Sequence, residues 1–144
     1  MIFYIIKMQS FQLKNFDYSL LKQELSDNNQ VVFAFIFGSA RFGKQIRPDS
    51  DVDIAVWLLP PFDFDDHLNV IEMCQRAIQF ENIDLTVLNK ASTLLRFEAI
   101  SGVPLVIKDW DTYADFFSET CRYYEDQMIL YSNIKKIIRE NLVK

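Results

Sequence analysis

The spacing of apolar positions changes several times along the chain, and each change predicts an element. Val31 to Phe37 is an unbroken apolar run, the pattern of a strand buried on both faces. Asp51 to Leu59 predicts a second strand, stopped by Pro60-Pro61, which cannot continue a ladder. Asn82 to Leu88 alternates, with Ile83, Leu85 and Val87 on one face and Asp84 and Thr86 on the other. Val103 to Ile107 predicts a short strand at a sheet edge. Helical spacing fills the rest. Phe16 to Asn28 carries Leu20, Leu21 and Leu25 on one stripe. A helix capped by Asp65 runs to about Phe80, with Leu68, Ile71, Met73, Cys74, Ala77 and Ile78 as its apolar positions. Ala91 to Ser101 predicts a third helix, closed by Gly102 as its C-cap. Asp109 or Asp111 opens a long last helix, striped by Tyr113, Phe116, Phe117, Cys121, Tyr124, Met128, Tyr131, Ile134, Ile138 and Leu142. Gly38 to Ser50 reads as a loop, broken by Gly43 and Pro48. The order α-β-β-α-β-α-β-α predicts an α/β (α+β) domain: one mixed β-sheet of about four strands flanked by helices.

Bulk properties narrow the partners. At 144 residues the chain fits a single domain over 1–144, with 1–10 as a flexible extension. Half the residues are hydrophobic and 15% aromatic, which excludes a disordered chain. The net charge is −5, and no lysine-arginine block tracks a nucleic-acid backbone. Stable nucleic-acid binding is therefore not expected of this chain alone. A local basic strip, Arg41, Lys44 and Arg47, suits a small anion. Cys74 and Cys121 stand far apart, outside any zinc spacing, and read as reduced thiols of a cytoplasmic protein. The apolar start up to Met8 is short, and its lysine follows the run, so it does not read as a signal peptide. Met1 and Met8 both remain open as the native start. No segment has the roughly 18 apolar residues of a membrane span.

The chemistry concentrates between Phe33 and Trp57. Asp51 and Asp53 alternate along a strand and so point to one side, with Val52 on the other. Two neighbouring carboxylates repel, and a divalent cation resolves the conflict. An Asp-x-Asp by itself reads equally as a solvated strand entrance. Gly38-Ser39, at the end of the preceding strand, adds a second feature. A glycine there lets a ligand approach the backbone, and a serine hydroxyl with free amides holds phosphate oxygens. Asp84 adds a third. On a neighbouring strand it would join Asp51 and Asp53, and three carboxylates can hold two metal ions for in-line phosphoryl or nucleotidyl transfer. Asp84 could also accept the proton of the attacking hydroxyl.

The stretch Gly-Ser-Ala-Arg-Phe-Gly, followed by Arg-Pro-Asp-Ser-Asp-Val-Asp-Ile-Ala-Val, resembles the signature of the DNA polymerase β-like nucleotidyltransferases. Within that superfamily the chain is most similar to the minimal nucleotidyltransferase antitoxins paired with HEPN-domain toxins. The resemblance covers nearly the whole chain. Ile83 to Ser92 matches the family's third-strand segment, Phe97 to Val106 its helix-to-edge-strand segment, and Arg122 to Asp126 the aromatic-acidic stretch of its last helix. It implies a polymerase β-like fold with a long C-terminal helix. It implies Gly38, Ser39 and Arg41 at the nucleotide phosphates, and Asp51, Asp53 and Asp84 as the catalytic and Mg²⁺-binding carboxylates. It further implies ATP as substrate and a HEPN ribonuclease toxin as partner, silenced by AMP transferred to a tyrosine. Eleven residues separate Ser39 from Asp51, one more than the family's commoner spacing, with the extra residue around Gln45-Ile46. Two other readings stay open: an antitoxin that acts by covering its toxin, and a nucleotidyltransferase for small molecules such as aminoglycosides.

Other residues carry ordinary expectations. His67 reads as a surface or capping residue, since nothing pairs it with a nucleophile. Phe62 and Phe64 are open between core and partner surface. The half of the last helix from Tyr131 to Leu142 has little sheet left to cover and is expected to reach a partner.

Overall fold

The computed structural model describes residues 14–15, 18–38, 45–46 and 50–142. Among the described residues, four helices and a four-stranded mixed sheet form three layers. The strands are β1 (Val31–Phe37), β2 (Val52–Leu58), β3 (Ile83–Val87) and β4 (Val103–Ile107). The helices are α1 (Ser19–Asp27), α2 (Phe64–Ile78), α3 (Thr93–Ile100) and α4 (Trp110–Leu142). The strand order is β3-β2-β1-β4. β1 pairs antiparallel with both β2 and β4, and β2 pairs parallel with β3.

The unbroken apolar run of β1 is explained by its central place. Val31, Ala34 and Ile36 face α1 and α2, in a core with Leu21, Leu25, Ile54, Val56 and Cys74. Phe33, Phe35 and Phe37 face α3 and α4, with Ala55, Leu88, Ala99 and Phe116. A bulge between Val31 and Phe33 shifts the register before the alternation sets in. Burial drives the Cys74 thiol up to about 12, so it stays a neutral core residue. No described helix is long and apolar enough to cross a membrane.

Boundaries differ from the sequence expectation in instructive places. α1 starts at Ser19 rather than Phe16, with Tyr18 at its N-cap. α2 is capped by Asp63, not Asp65. The Asp63 side chain accepts from the Asp66 amide, and the Asp66 side chain accepts from the Asp63 amide, a reciprocal capping box. The buried stripe of α2 is Val70, Met73, Cys74, Ala77 and Ile78, while Leu68 is exposed. α3 is capped by Ser92, whose hydroxyl accepts from the Leu95 amide, and it ends at Ser101 in helical conformation. Gly102 is therefore not a left-handed terminator. Its hydrogen atom faces the sheet, where a Cβ would stand 2.8 Å from the Phe37 Cβ and 3.0 Å from its Cα. α4 is opened by Asp109, whose carboxylate accepts from the amides of Asp111 and Thr112. Within the expected loop, Gln45–Ile46 pairs antiparallel with Lys14–Asn15. Residues 1–10, the expected extension, lie outside the described residues.

Candidate active site

The topology brings three chain segments to one end of the sheet. Because β1 and β2 are antiparallel, the end of β1 meets the start of β2. Because β2 and β3 are parallel, the start of β3 lies there too. Phe37 is the register partner of Asp53, and Asp53 is the register partner of Asp84. Asp53, Ala55 and Trp57 share the face that α3 and α4 cover. The α3-α4 layer covers Ala55, and Asp53 opens onto a cleft at its edge.

That cleft has a volume of about 750 Å³. Gly38, Asp53, Asp84 and Thr86 form its sheet side. Leu94, Leu95, Phe97, Glu98 and Ser101 from the α3 region and Tyr124 from α4 form the opposite side. The Phe97 and Tyr124 rings stack there, with centroids 3.7 Å apart and planes 3° from parallel. One side is thus carboxylate-rich and the other largely aromatic and aliphatic, the division expected of a pocket that orients a polar ligand by a few groups.

The electrostatics centre on Asp53. Burial raises its carboxyl above the ordinary value of 3.8, and the Asp84 and Asp51 charges, a hydrogen bond with Asp84, and the Glu98 charge push the same way. Asp51 stands exposed, just before β2, and acts on Asp53 through its charge. Among the described residues, no three His, Cys, Asp or Glu side chains stand in a ready metal-holding arrangement. The donor chemistry nevertheless suits a divalent cation: three carboxylates gathered at one end of the sheet, one of them, Asp53, raised above its ordinary value by burial and by the neighbouring negative charges that a cation would offset.

Gly38 ends β1 with φ +68°, a left-handed conformation in which its missing Cβ is essential. A Cβ there would overlap the Asp53 carboxylate. Ser39 and Arg41, the other expected phosphate-binding residues, lie outside the described residues, as do Lys44 and Arg47.

Several cleft residues escaped the sequence reading. Glu98, Phe97 and Tyr124 sit on helices whose apolar stripe reads as core, and only the strand order shows that α3 and α4 border the acidic end of the sheet. A buttress behind the cleft was also missed. Asn89 donates to the Leu58 carbonyl and accepts from the Leu58 amide, both at 2.9 Å, so its side chain mimics a strand neighbour. Arg96 donates to the carbonyls of Leu88 and Asn89, each at 3.0 Å, and covers Trp57 and Phe116. His67 is not among the cleft residues and lies edge-on to Phe64, at a 6.0 Å ring separation.

Residues 20–111 match the family described as polymerase beta, nucleotidyltransferase. The chain belongs to the polymerase beta nucleotidyltransferase family. That match spans β1, β2 and β3, and so every segment that builds the acidic end of the cleft. No curated protein matches the chain. Among solved structures, a variant of the MntA-HepT toxin-antitoxin with two aspartate-to-glutamate changes is 23% identical, covering 85% of this chain and 98% of that one, with a TM-score of 0.69. A toxin-antitoxin with AMP-PNP is 24% identical, with 85% and 98% covered and a TM-score of 0.67. A tri-AMPylated Shewanella oneidensis HEPN toxin in complex with MNT antitoxin gives 20% identity, 83% and 89% coverage and a TM-score of 0.57. These likenesses support the nucleotidyltransferase fold.

Proposed function

We propose that this nucleotidyltransferase is an antitoxin that transfers AMP from ATP to a tyrosine of a HEPN ribonuclease toxin and so silences it. The observation that carries the reading is the pairing of Asp53 with Asp84 on adjacent strands, beside a left-handed glycine at the end of β1. The solved complexes of the same fold support it, one holding AMP-PNP and one a tri-AMPylated HEPN toxin. The acidic chain, at net charge −5, suits a protein acceptor better than free RNA.

In this reading the tyrosine oxygen attacks the α-phosphorus of ATP. The bond to the β-phosphate breaks, and pyrophosphate leaves with its electron pair. Asp84 accepts the tyrosine proton. Gly38, lacking a side chain, leaves room for the phosphates beside Asp53, and Ser39 and Arg41 hold their oxygens. Asp51, Asp53 and Asp84 are the residues that would hold Mg²⁺, which when bound supplies charge neutralisation and a more acidic attacking hydroxyl. Tyr124 and Phe97 wall the cleft against water on the side away from the carboxylates.

The test is direct. The chain is mixed with α-labelled ATP, Mg²⁺ and the product of the neighbouring gene. If that product is the HEPN toxin, label is expected on one of its tyrosines. Absence of label, or equal labelling by the Asp51→Asn/Asp53→Asn double variant, overturns the enzymatic reading. Neutralisation by that double variant at undiminished potency would favour a covering antitoxin instead.

A further inference from the structure

The cleft has two unlike ends. Its sheet side is ordered by strand. Gly38 ends β1, Asp53 stands on β2 and Asp84 on β3, so Gly38 and Asp84 lie on either side of Asp53, roughly 10 Å apart. Its helix side runs the same way. α3 starts just after Leu88–Lys90, the segment that leaves β3, and gives way to Gly102, which lies against Phe37 of β1. At 100° per residue Leu94, Glu98 and Ser101 share one stripe of this helix, about 10 Å long, and all three line the cleft. Ser101 therefore stands with Gly38 at the β1 end, and Leu94 with Thr86 at the β3 end.

The β3 end is the apolar one. Leu94 is 54% exposed and belongs to neither core, although it is a large apolar side chain on a pocket wall. Leu95 beside it packs partly into the core and also lines the cleft. Thr86 faces the cleft two residues beyond Asp84, ~7 Å along the strand. β3 is an outer strand of the four-stranded sheet, so a protein can approach this end from the side of the sheet.

In-line displacement puts the attacking and leaving oxygens on opposite sides of the phosphorus. In the reaction proposed above, on which this subsite rests, the phosphates lie beside Gly38 and Asp84 takes the proton. With the α-phosphorus over Asp53, pyrophosphate leaves toward β1 and the attacking hydroxyl arrives over β3. We propose that Leu94, with Leu95 and Thr86, forms the subsite for the acceptor's phenol ring, and that Leu94 is the residue that selects tyrosine over serine or threonine. The ring lies along β3 with its hydroxyl at Asp84 and its face against Leu94. A serine or threonine side chain cannot span the ~7 Å from Thr86 to Asp84, and it would leave Leu94 bare.

Leu94, Leu95 and Thr86 all carry methyl groups, whose NMR signals an aromatic ring shifts. The chain, with Mg²⁺ and an ATP analogue that cannot transfer its AMP, is titrated with N-acetyl-tyrosinamide up to about 10 mM. Shifts are expected at the methyls of these three residues, and none with N-acetyl-serinamide. Leu94→Asp should abolish the shifts at Leu95 and Thr86. Leu94 lies outside both cores, so this variant should keep the parent's melting temperature. In the labelled-ATP assay with the product of the neighbouring gene, Leu94→Asp should raise the acceptor's KM about tenfold and leave that of ATP unchanged. Tyrosinamide that moves none of the three signals overturns the subsite, and so does serinamide that moves them equally. A raised KM for ATP with an unchanged KM for the acceptor would place the nucleobase there, and overturns it too. Transfer by Leu94→Asp with both KM values unchanged overturns the subsite and leaves AMP transfer standing. No transfer by the parent chain overturns both.

Discussion

The Asp53 carboxylate occupies the space that a side chain on Gly38 would need. The two residues sit on adjacent antiparallel strands, with Gly38 one position past the register pair Phe37 and Asp53. A Cβ on Gly38 would overlap Asp53 Oδ2 and stand 3.2 Å from its Cγ. The backbone at φ +68° adds a second objection to any L side chain. Gly38→Ala should thus cost about 2–3 kcal/mol of stability and abolish AMP transfer. The two causes separate in a double-mutant cycle. Combined with Asp53→Ala, which removes the clashing atoms, Gly38→Ala should cost only the backbone part, about 1 kcal/mol less. Urea melts of the four proteins measure both parts.

Asp53 holds its proton more tightly in the folded chain than in the unfolded one, because it is partly buried and faces Asp84, Asp51 and Glu98. The folded state therefore binds more protons, and stability from this group is complete below the ordinary value of 3.8 and is lost as pH rises through the folded value. Asp53→Asn removes that loss. Its melting temperature at neutral pH should exceed that of the parent, on the order of 2 °C, limited by the water that still reaches the carboxylate. The difference should vanish at strongly acid pH. AMP transfer should fall at least ~100-fold in the same variant. A residue whose removal stabilises the fold while ending activity is kept for chemistry, not for structure.

The strands were legible because each long apolar run needed two covered faces, and because Ile83, Leu85 and Val87 alternate cleanly with Asp84 and Thr86. The shared direction of Asp51 and Asp53 followed from the two-residue period. That Asp84 stands directly beside Asp53 depended on strand order and a parallel register, which no local pattern encodes. The two-residue ladder of Lys14–Asn15 with Gln45–Ile46 was illegible for the same reason, being too short to show a period. Gly102 misled because a glycine after a helix suggests a left-handed cap, whereas here the constraint is tertiary, the closeness of Phe37. Tyr124 and Phe97 could not be separated from core aromatics by spacing, since a cleft wall continues the stripe that the core uses.

Magnesium offers a test without catalysis. A cation held among Asp51, Asp53 and Asp84 would bind the folded chain and not the unfolded one, so it should raise the melting temperature. At a hundredfold excess over its dissociation constant the gain approaches ~2.7 kcal/mol. Asp53→Asn/Asp84→Asn should melt at one temperature with or without Mg²⁺. Calorimetry in Mg²⁺ and in a chelator, with no nucleotide present, decides it. An equal Mg²⁺ response in the two proteins would remove these carboxylates from the metal site.

Thr120 hides a defect in the long helix. It is buried on α4, one turn beyond Phe116 and one before Tyr124, and its hydroxyl has no hydrogen-bond partner among the described residues. A buried hydroxyl without a partner has lost its water and gained nothing in return. Thr120→Val keeps the branched shape and replaces the hydroxyl with a methyl. The substitution should stabilise the protein by about 1 kcal/mol, or ~3 °C in melting temperature. AMP transfer should be unchanged, because the cleft is lined by Tyr124 and not by Thr120. Thr120→Ala leaves a small void in place of the hydroxyl and the methyl, and should fall below the valine variant. A valine variant less stable than the parent would mean that the hydroxyl has a partner after all, and thermal melts of the three proteins side by side distinguish the outcomes.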